Sequence, residues 1–170
     1  MPNYCNNEVR VYGEPEEVQK FVALVKGKER PFSFQSIVSM PDELRDTNSP
    51  PTIMTEEEIA EYKKEQEIKS EKFRLSYNPI TQETSDRLVK QYGTNNWYDW
   101  CNKNWGTKWD ANIIDYGQED DEAWYDFDTA WCPPEPVHER LVALFPNLSI
   151  SWFYREDGMQ IAGFLNGEPL

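Results

Sequence analysis

Seven carboxylates fall within fourteen residues of this chain: Asp115, Glu119, Asp120, Asp121, Glu122, Asp126 and Asp128. Three kinds of chemistry use such a cluster. A row of anions can imitate a phosphate backbone, since duplex DNA presents one charge per about 1.7 Å of axis, and so enter a groove lined by lysine and arginine. Carboxylates can hold Ca²⁺ or Mg²⁺. A pair can act as acid and base around a scissile bond, at separations of about 5–5.5 or 6.5–9.5 Å in glycosidases. Asp126 and Asp128 stand two residues apart in an extended stretch, which puts them on one sheet face roughly 6.5–7 Å apart. That spacing permits a hydrolytic pair, yet neighbours on one strand do not flank a substrate. No second element offers an oxyanion hole or an activated nucleophile. The spacing of an EF-hand loop is absent as well. The anionic surface is the leading reading, set against a plain solvated acidic turn, which is what most charge runs are.

Other chemistry is thinly represented. His138 is the single histidine, six residues after Cys132. No CxxC and no second histidine complete a tetrahedral zinc set, so His138 is expected on the outer side of a helix. The glycines are too scattered for a phosphate-binding loop. No catalytic residue, metal site or cofactor is expected.

The elements that must position the carboxylates are legible by period. From Ala123 to Trp131 the residues alternate, with Ala123, Tyr125, Phe127, Thr129 and Trp131 on one face and Trp124, Asp126, Asp128 and Ala130 on the other. Cys132-Pro133-Pro134 ends that strand, because proline donates nothing to a ladder. Val137, Leu141, Leu144 and Phe145 recur at helical spacing. Leu148, Ile150, Trp152 and Tyr154 alternate again as a strand. Before the acidic run, Trp109 to Tyr116 reads as a strand with Ile113 or Ile114 turned inward, joined to the next by a hairpin at Gln118–Glu122. Met159 to Leu165 reads as a last strand after the Glu156-Asp157-Gly158 turn. At the other end, Asn7 to Tyr12 alternates, and Val18, Phe21, Val22 and Val25 form a helical stripe that opens at Pro15.

Between these lies a different kind of sequence. Pro31 to Pro51 reads as a packed irregular segment. Thr55-x-x-Glu58 matches a capping box, opening a charged helix over 56–73 with a poor apolar stripe. Gln82 to Tyr92 reads as a further helix. Trp97, Trp100, Cys101 and Trp105 share one face of another that ends at Gly106, and these tryptophans are expected to pack rather than to bind a cofactor. With residues 28–108 set aside as a helical insertion, the order is βαββαβ plus one strand. The expected class is therefore α+β: a single domain over 1–170, with a ferredoxin-like split βαβ antiparallel sheet, two covering helices and a large helical insertion.

The chain has 170 residues and a formal net charge of −14, unevenly placed. Residues 1–54 carry 8 acids and 6 bases, residues 55–92 carry 9 and 7, and residues 93–170 carry 14 and 4. Such a field repels nucleic acid and anionic membranes and attracts basic partners. No apolar run is long enough to span a bilayer, MPNYCNNEVR lacks a signal-peptide core, and three cysteines do not make a disulfide framework. The expected location is cytoplasmic. Aromatic strand residues raise the question of base stacking, but Tyr125, Phe127, Trp152 and Tyr154 alternate onto the helix-covered face, and Trp124 stands beside Asp126 and Asp128.

Three strings, MPNYCNN at the start, NWGTKWDA at 104–111 and FDTAWCPPEPV at 127–137 extended by FPNLSISWFYREDGM, resemble the YubB ferredoxin-like domain family of bacteriophages, prophages and conjugative plasmids. They touch both ends and the middle of the chain. Tyr4 departs from the tryptophan expected there, an exchange of one aromatic for another. The resemblance implies the fold and a mobile-element origin, and it carries over no catalytic residue.

Taken together, these readings lead to a non-catalytic acidic binding protein of a phage or mobile element. It is expected to inhibit a basic, nucleic-acid-binding host defence protein, of the CRISPR type or another, as a DNA mimic. The partner-binding residues are Asp115, Glu119, Asp120, Asp121, Glu122, Asp126 and Asp128, with Glu57, Glu58 and Glu61 as added contacts from the insertion. Direct nucleic-acid and membrane partners are not expected, and a homodimer stays open. The alternatives are a single-stranded nucleic-acid or nucleotide-binding module and, third, a metal-assisted hydrolase.

Overall fold

A computed structural model describes residues 3–68 and 78–165. The chain divides into two compact units, Met1–Ser39 with Cys101–Leu170, and Met40–Trp100. Of the 28–108 stretch, residues 28–39 and 101–108 thus fall with the sheet.

The first unit is built on a five-stranded antiparallel sheet. Its strands are β1 (Tyr4–Tyr12), β2 (Asn112–Gln118), β3 (Glu122–Ala130), β4 (Ser149–Glu156) and β5 (Ile161–Phe164), in the order β2-β3-β1-β4-β5. Strict alternation sorts the two faces. Cys5, Val9, Val11, Ala123, Tyr125, Phe127 and Trp152 turn to one side and are buried. Helix α1 (Pro15–Val25) lays Val18, Phe21 and Val25 against that side, and helix α7 (Glu135–Leu144) lays Val137, His138 and Leu141 there. Between these two helices the chain forms α2 (Phe34–Ile37), α3 (Asp42–Arg45), α4 (Glu56–Ile68), α5 (Gln82–Tyr92) and α6 (Trp97–Asn104).

Aromatic rings fill the space under the helices. Phe32 stacks on Phe127 at 5.2 Å and meets Tyr125 at 4.9 Å, and Phe127 meets Trp152 edge-on at 5.6 Å. Each such pair contributes about 0.5–1.5 kcal/mol beyond its buried area. Helix α2 is too short to be read from periodicity. It is held by Asp110, whose carboxylate accepts from Phe34 N and Ser33 Oγ, both at 2.6 Å. Trp105 meets the Phe34 ring at 5.9 Å and donates from its indole to the Val38 carbonyl at 2.8 Å.

In the second unit, α4 opens on the expected capping box. Glu58 N donates to Thr55 Oγ1 at 3.2 Å, and Thr55 N donates back to the Glu58 carboxylate at 2.8 Å. The helix is mostly exposed, with Ile59 and Tyr62 half-buried, and its expected continuation to residue 73 lies outside the described residues. Thr81 caps α5, which ends at Gly93 in the left-handed conformation (φ 77°) that glycine takes without strain. A parallel bridge between Ile53 and Ile80 joins the segments that precede the two helices. Among the described residues, no helix is long and apolar enough to cross a membrane.

Candidate partner-binding face

The sheet face turned away from the helices gathers the charge. Register places Asp115 opposite Asp126, and Asp126 opposite Glu8, so three carboxylates lie in a row across β2, β3 and β1. With strands about 4.8 Å apart, the row spans roughly 10 Å. Asp128 sits in the next row, flanked by Asn112 and Asn6, and accepts from Asn6 Nδ2 at 3.4 Å. Glu122 begins β3 opposite Tyr12. The Glu122 carboxylate beside the Tyr12 hydroxyl raises the phenol's pKa. Glu119, Asp120 and Asp121 form the exposed turn, closed by Glu119 N donating to the Glu122 carbonyl at 2.8 Å.

All seven acidic residues singled out from the sequence thus belong to one hairpin. Asp115, Glu122, Asp126 and Asp128 share its open face, and Glu119–Asp121 form its tip. The tip is about 13 Å along the strand from Asp126. Glu57, Glu58 and Glu61 are exposed on α4 in the other unit, and Glu58 doubles as the helix cap described above.

Sequence reading missed two neighbours from β1. Glu8 extends the carboxylate row. Arg10, opposite Trp124, reaches into it diagonally, with Nη1 donating to Asp126 Oδ1 at 2.8 Å and to the Val9 carbonyl at 3.0 Å. That contact with Asp126 raises the guanidinium's pKa further. The other cation of this face, Arg155, pairs with Asp157 at 3.0 Å. The alternation of NEVRVY already put Glu8 and Arg10 opposite the valines; the position of β1 beside β3 could not be read from it.

Not every acid of the C-terminal half is available to a partner. Asp110 is consumed by α2. Asp99 and Asn96 bond reciprocally at 2.8 and 2.9 Å at the start of α6. Glu156 is 1% exposed, and its carboxylate accepts from the backbone of Gly158 and Met159 in the β4–β5 turn.

The open face also carries aromatic side chains. Trp124 lies across Gly117, where an added Cβ would fall 2.0 Å from the indole. Tyr4, Tyr12 and Phe164 are exposed, and Phe153 meets Phe164 at 5.2 Å.

Burial pushes the thiol pKa of Cys5 to about 12 and that of Cys101 to about 11, and it raises that of Cys132 too. His138 corrects the sequence reading. It is 2% exposed, packed edge-on against Trp152 at 5.5 Å, with Nε2 unpartnered and its pKa lowered by burial. Helical spacing explains this, since His138 stands three residues before Leu141 on the same face. Among the described residues, no group of three or more His, Cys, Asp or Glu could hold a metal ion.

The strings that resemble a known family serve the core. Asn7 accepts from Trp152 Nε1 at 3.1 Å and donates at 2.9 Å to both the Cys5 carbonyl and Thr129 Oγ1. Thr129 in turn donates to the Cys132 carbonyl at 2.7 Å. Thr107 Oγ1 donates to the Ala130 carbonyl at 3.1 Å and accepts from Ala130 N at 3.0 Å.

Fold and face together define an α+β protein whose open antiparallel sheet face bears a row of carboxylates. No family model matches the sequence, and no curated protein matches it. Among solved structures, it is similar to the crystal structure of a protein api92 from Yersinia pseudotuberculosis, with family-model DUF1281. The TM-score is 0.51 at 14% identity, covering 96% of this chain and 93% of that one. At that identity the likeness is one of fold alone.

Proposed function

We propose that this chain is a non-catalytic acidic binding protein with a ferredoxin-like sheet, akin to the YubB domains of phages and plasmids, acting in the host cytoplasm. Its open sheet face and the Glu119–Asp121 turn engage a basic, nucleic-acid-binding host protein. The ferredoxin-like assignment is supported by the strand order, in which β1 and β4 lie side by side between β3 and β5 and the two covering helices follow β1 and β3. The inhibition of a host defence protein, by occupying the groove that would hold nucleic acid, follows from the shape of the charge and from the mobile-element resemblance.

The observation that carries the reading is the row Asp115–Asp126–Glu8 with Asp128 beside it, on a face where, among the described strand residues, the cations are Arg10 and Arg155. Like charges set opposite one another across strands destabilise a sheet. A face that keeps them is suited to a cationic surface elsewhere. The test is capture from host lysate at low and high ionic strength. A basic partner should be retained at low salt, released at high salt, and lost when Glu119, Asp120, Asp121 and Glu122 are all changed to Lys in a chain that still folds. Capture that ignores salt, or that survives the four reversals, removes the reading.

One observation favours the alternative of a single-stranded nucleic-acid module: Tyr4, Tyr12, Trp124, Phe153 and Phe164 all project from the open face. Stacking platforms work inside cationic grooves, however, and here carboxylates stand between the rings. A gel shift with single-stranded DNA and RNA separates the two, and no shift is expected.

A further inference from the structure

The sheet has two edges, and they differ. β5 is four residues long, whereas β2 runs seven residues from Asn112 to Gln118 and pairs with β3 alone. Natural edges are blunted by lysine, proline or shortness, because a free ladder is a template for another strand. β2 carries no lysine and no proline, and its one charge is Asp115. It is blunted by the bulge at Ile114 and, just before its start, by Arg30 Nη1 donating to the Ala111 carbonyl at 3.0 Å. Ile114 and Tyr116 are 60% and 57% exposed there.

A groove follows this edge. Two clefts, of about 830 Å³ and about 480 Å³, share Glu29, Arg30, Pro31 and Tyr116. They adjoin along the edge from Trp109 to Gln118, and Glu29, Arg30 and Pro31 line both. At about 3.4 Å per residue, the edge matches an extended segment of five to seven residues.

We propose that this edge receives an extended basic segment of the partner as a sixth strand. The inference rests on the basic-partner reading and states how that partner docks. Charge sets the parity of the guest. A guest residue opposite Asp115 projects onto the open face, where Asp115 has no ion pair among the described residues, so a lysine or arginine belongs there. Two residues along, the guest faces Gly117, over which the Trp124 indole lies, a second seat for a cation. The alternate guest residues project toward the helix side, past Lys26, Lys28 and Arg30, where apolar side chains fit and cations do not. The guest is thus recognised by backbone hydrogen bonds with cations on one parity only.

The test uses three fluorescein-labelled peptides of equal charge: alternating Val-Arg, the same peptide N-methylated at alternate amides, and alternating Gly-Arg. The Val-Arg peptide should bind at least tenfold tighter than the other two. Its binding should slow amide exchange across 112–118 and weaken at least threefold in Asp115→Asn. Equal binding of the N-methylated peptide, or protection elsewhere, overturns strand addition; the basic-partner reading then stands if the four reversals at 119–122 abolish all peptide binding. If no arginine peptide binds even at low salt, that reading falls as well. If the free protein sediments as a dimer with β2 amides already protected, a second copy occupies the edge and the inference is overturned.

Discussion

Arg10→Gln should make the protein less stable and a better ligand for cations. Arg10, opposite Trp124, reaches the carboxylate row as its counter-charge among the described residues, at 2.8 Å from Asp126, and both side chains are partly open to water. A pair of that exposure contributes about 0.2–1 kcal/mol. Its removal also leaves Asp126 facing Asp115 on one side and Glu8 on the other. Two unit charges about 5 Å apart repel by about 0.8 kcal/mol at the dielectric of water and by about 3 kcal/mol at an effective dielectric of 20. Exposure favours the lower figure. The variant should therefore lose about 1–2 kcal/mol at low salt, a Tm drop of about 3–6 °C for a chain of this size.

The assay is thermal or urea unfolding in about 20 mM and about 1 M salt, where the screening length shortens to about 3 Å. High salt should recover most of the loss. Arg10→Gln/Asp126→Asn should recover it without salt, because the central charge of the row is then gone. In parallel, the Arg10→Gln protein should bind an arginine-rich peptide faster and more tightly than the wild type, since the face has lost one positive charge. If the loss of stability is indifferent to salt, or the double variant is no better than the single one, Arg10 acts through packing and the row is not electrostatically strained.

Three further outcomes follow from the same geometry. Gly117→Ala should cost about 1–3 kcal/mol and shift tryptophan fluorescence, because the new methyl meets the Trp124 indole; Gly117→Ala/Trp124→Ala should recover part of the loss. Asn7→Leu should cost about 2–4 kcal/mol by urea denaturation, since it leaves Trp152 Nε1 buried without an acceptor. His138 sits neutral in the core with its pKa held below the ordinary 6.5. The unfolded chain therefore takes up the proton first, and this contribution is complete above pH 6.5 and declines as pH falls below it. Urea midpoints between pH 7.5 and 5 should fall more steeply for the wild type than for His138→Leu, and equal slopes would refute the assignment.

The periodic elements were legible because β1 and β3 each have one buried face and each covering helix one buried stripe. Even so, β1 begins at Tyr4 rather than Asn7, and the reason is chemical. Asn6 and Asn7 look like loop residues, yet Asn7 is fully buried because Trp152, Thr129 and the Cys5 carbonyl satisfy its amide. His138 deceived in the same way, its residue type outweighing a helical position that pointed inward. Helices α2 and α3, four residues each, had no period to display, and α2 depends on a carboxylate 76 positions away.

The candidate site shows where counting charges stops being informative. The excess of acids after residue 92 weighs Asp99, Asp110, Asp126, Asp115 and Glu156 alike. Folding assigns them different tasks: two cap helices, one holds a turn from inside the core, and one is paired with Arg10. Asp115 and the Glu119–Asp121 tip keep no ion pair among the described residues, so the charge left unpaired on the hairpin is smaller than the bulk figure and more sharply placed. Sequence could give the density of carboxylates along the hairpin. Which of them remain free depends on Arg10, Ser33 and the backbone of Phe34 and Met159, all brought in from elsewhere in the chain by the sheet and its covering layer.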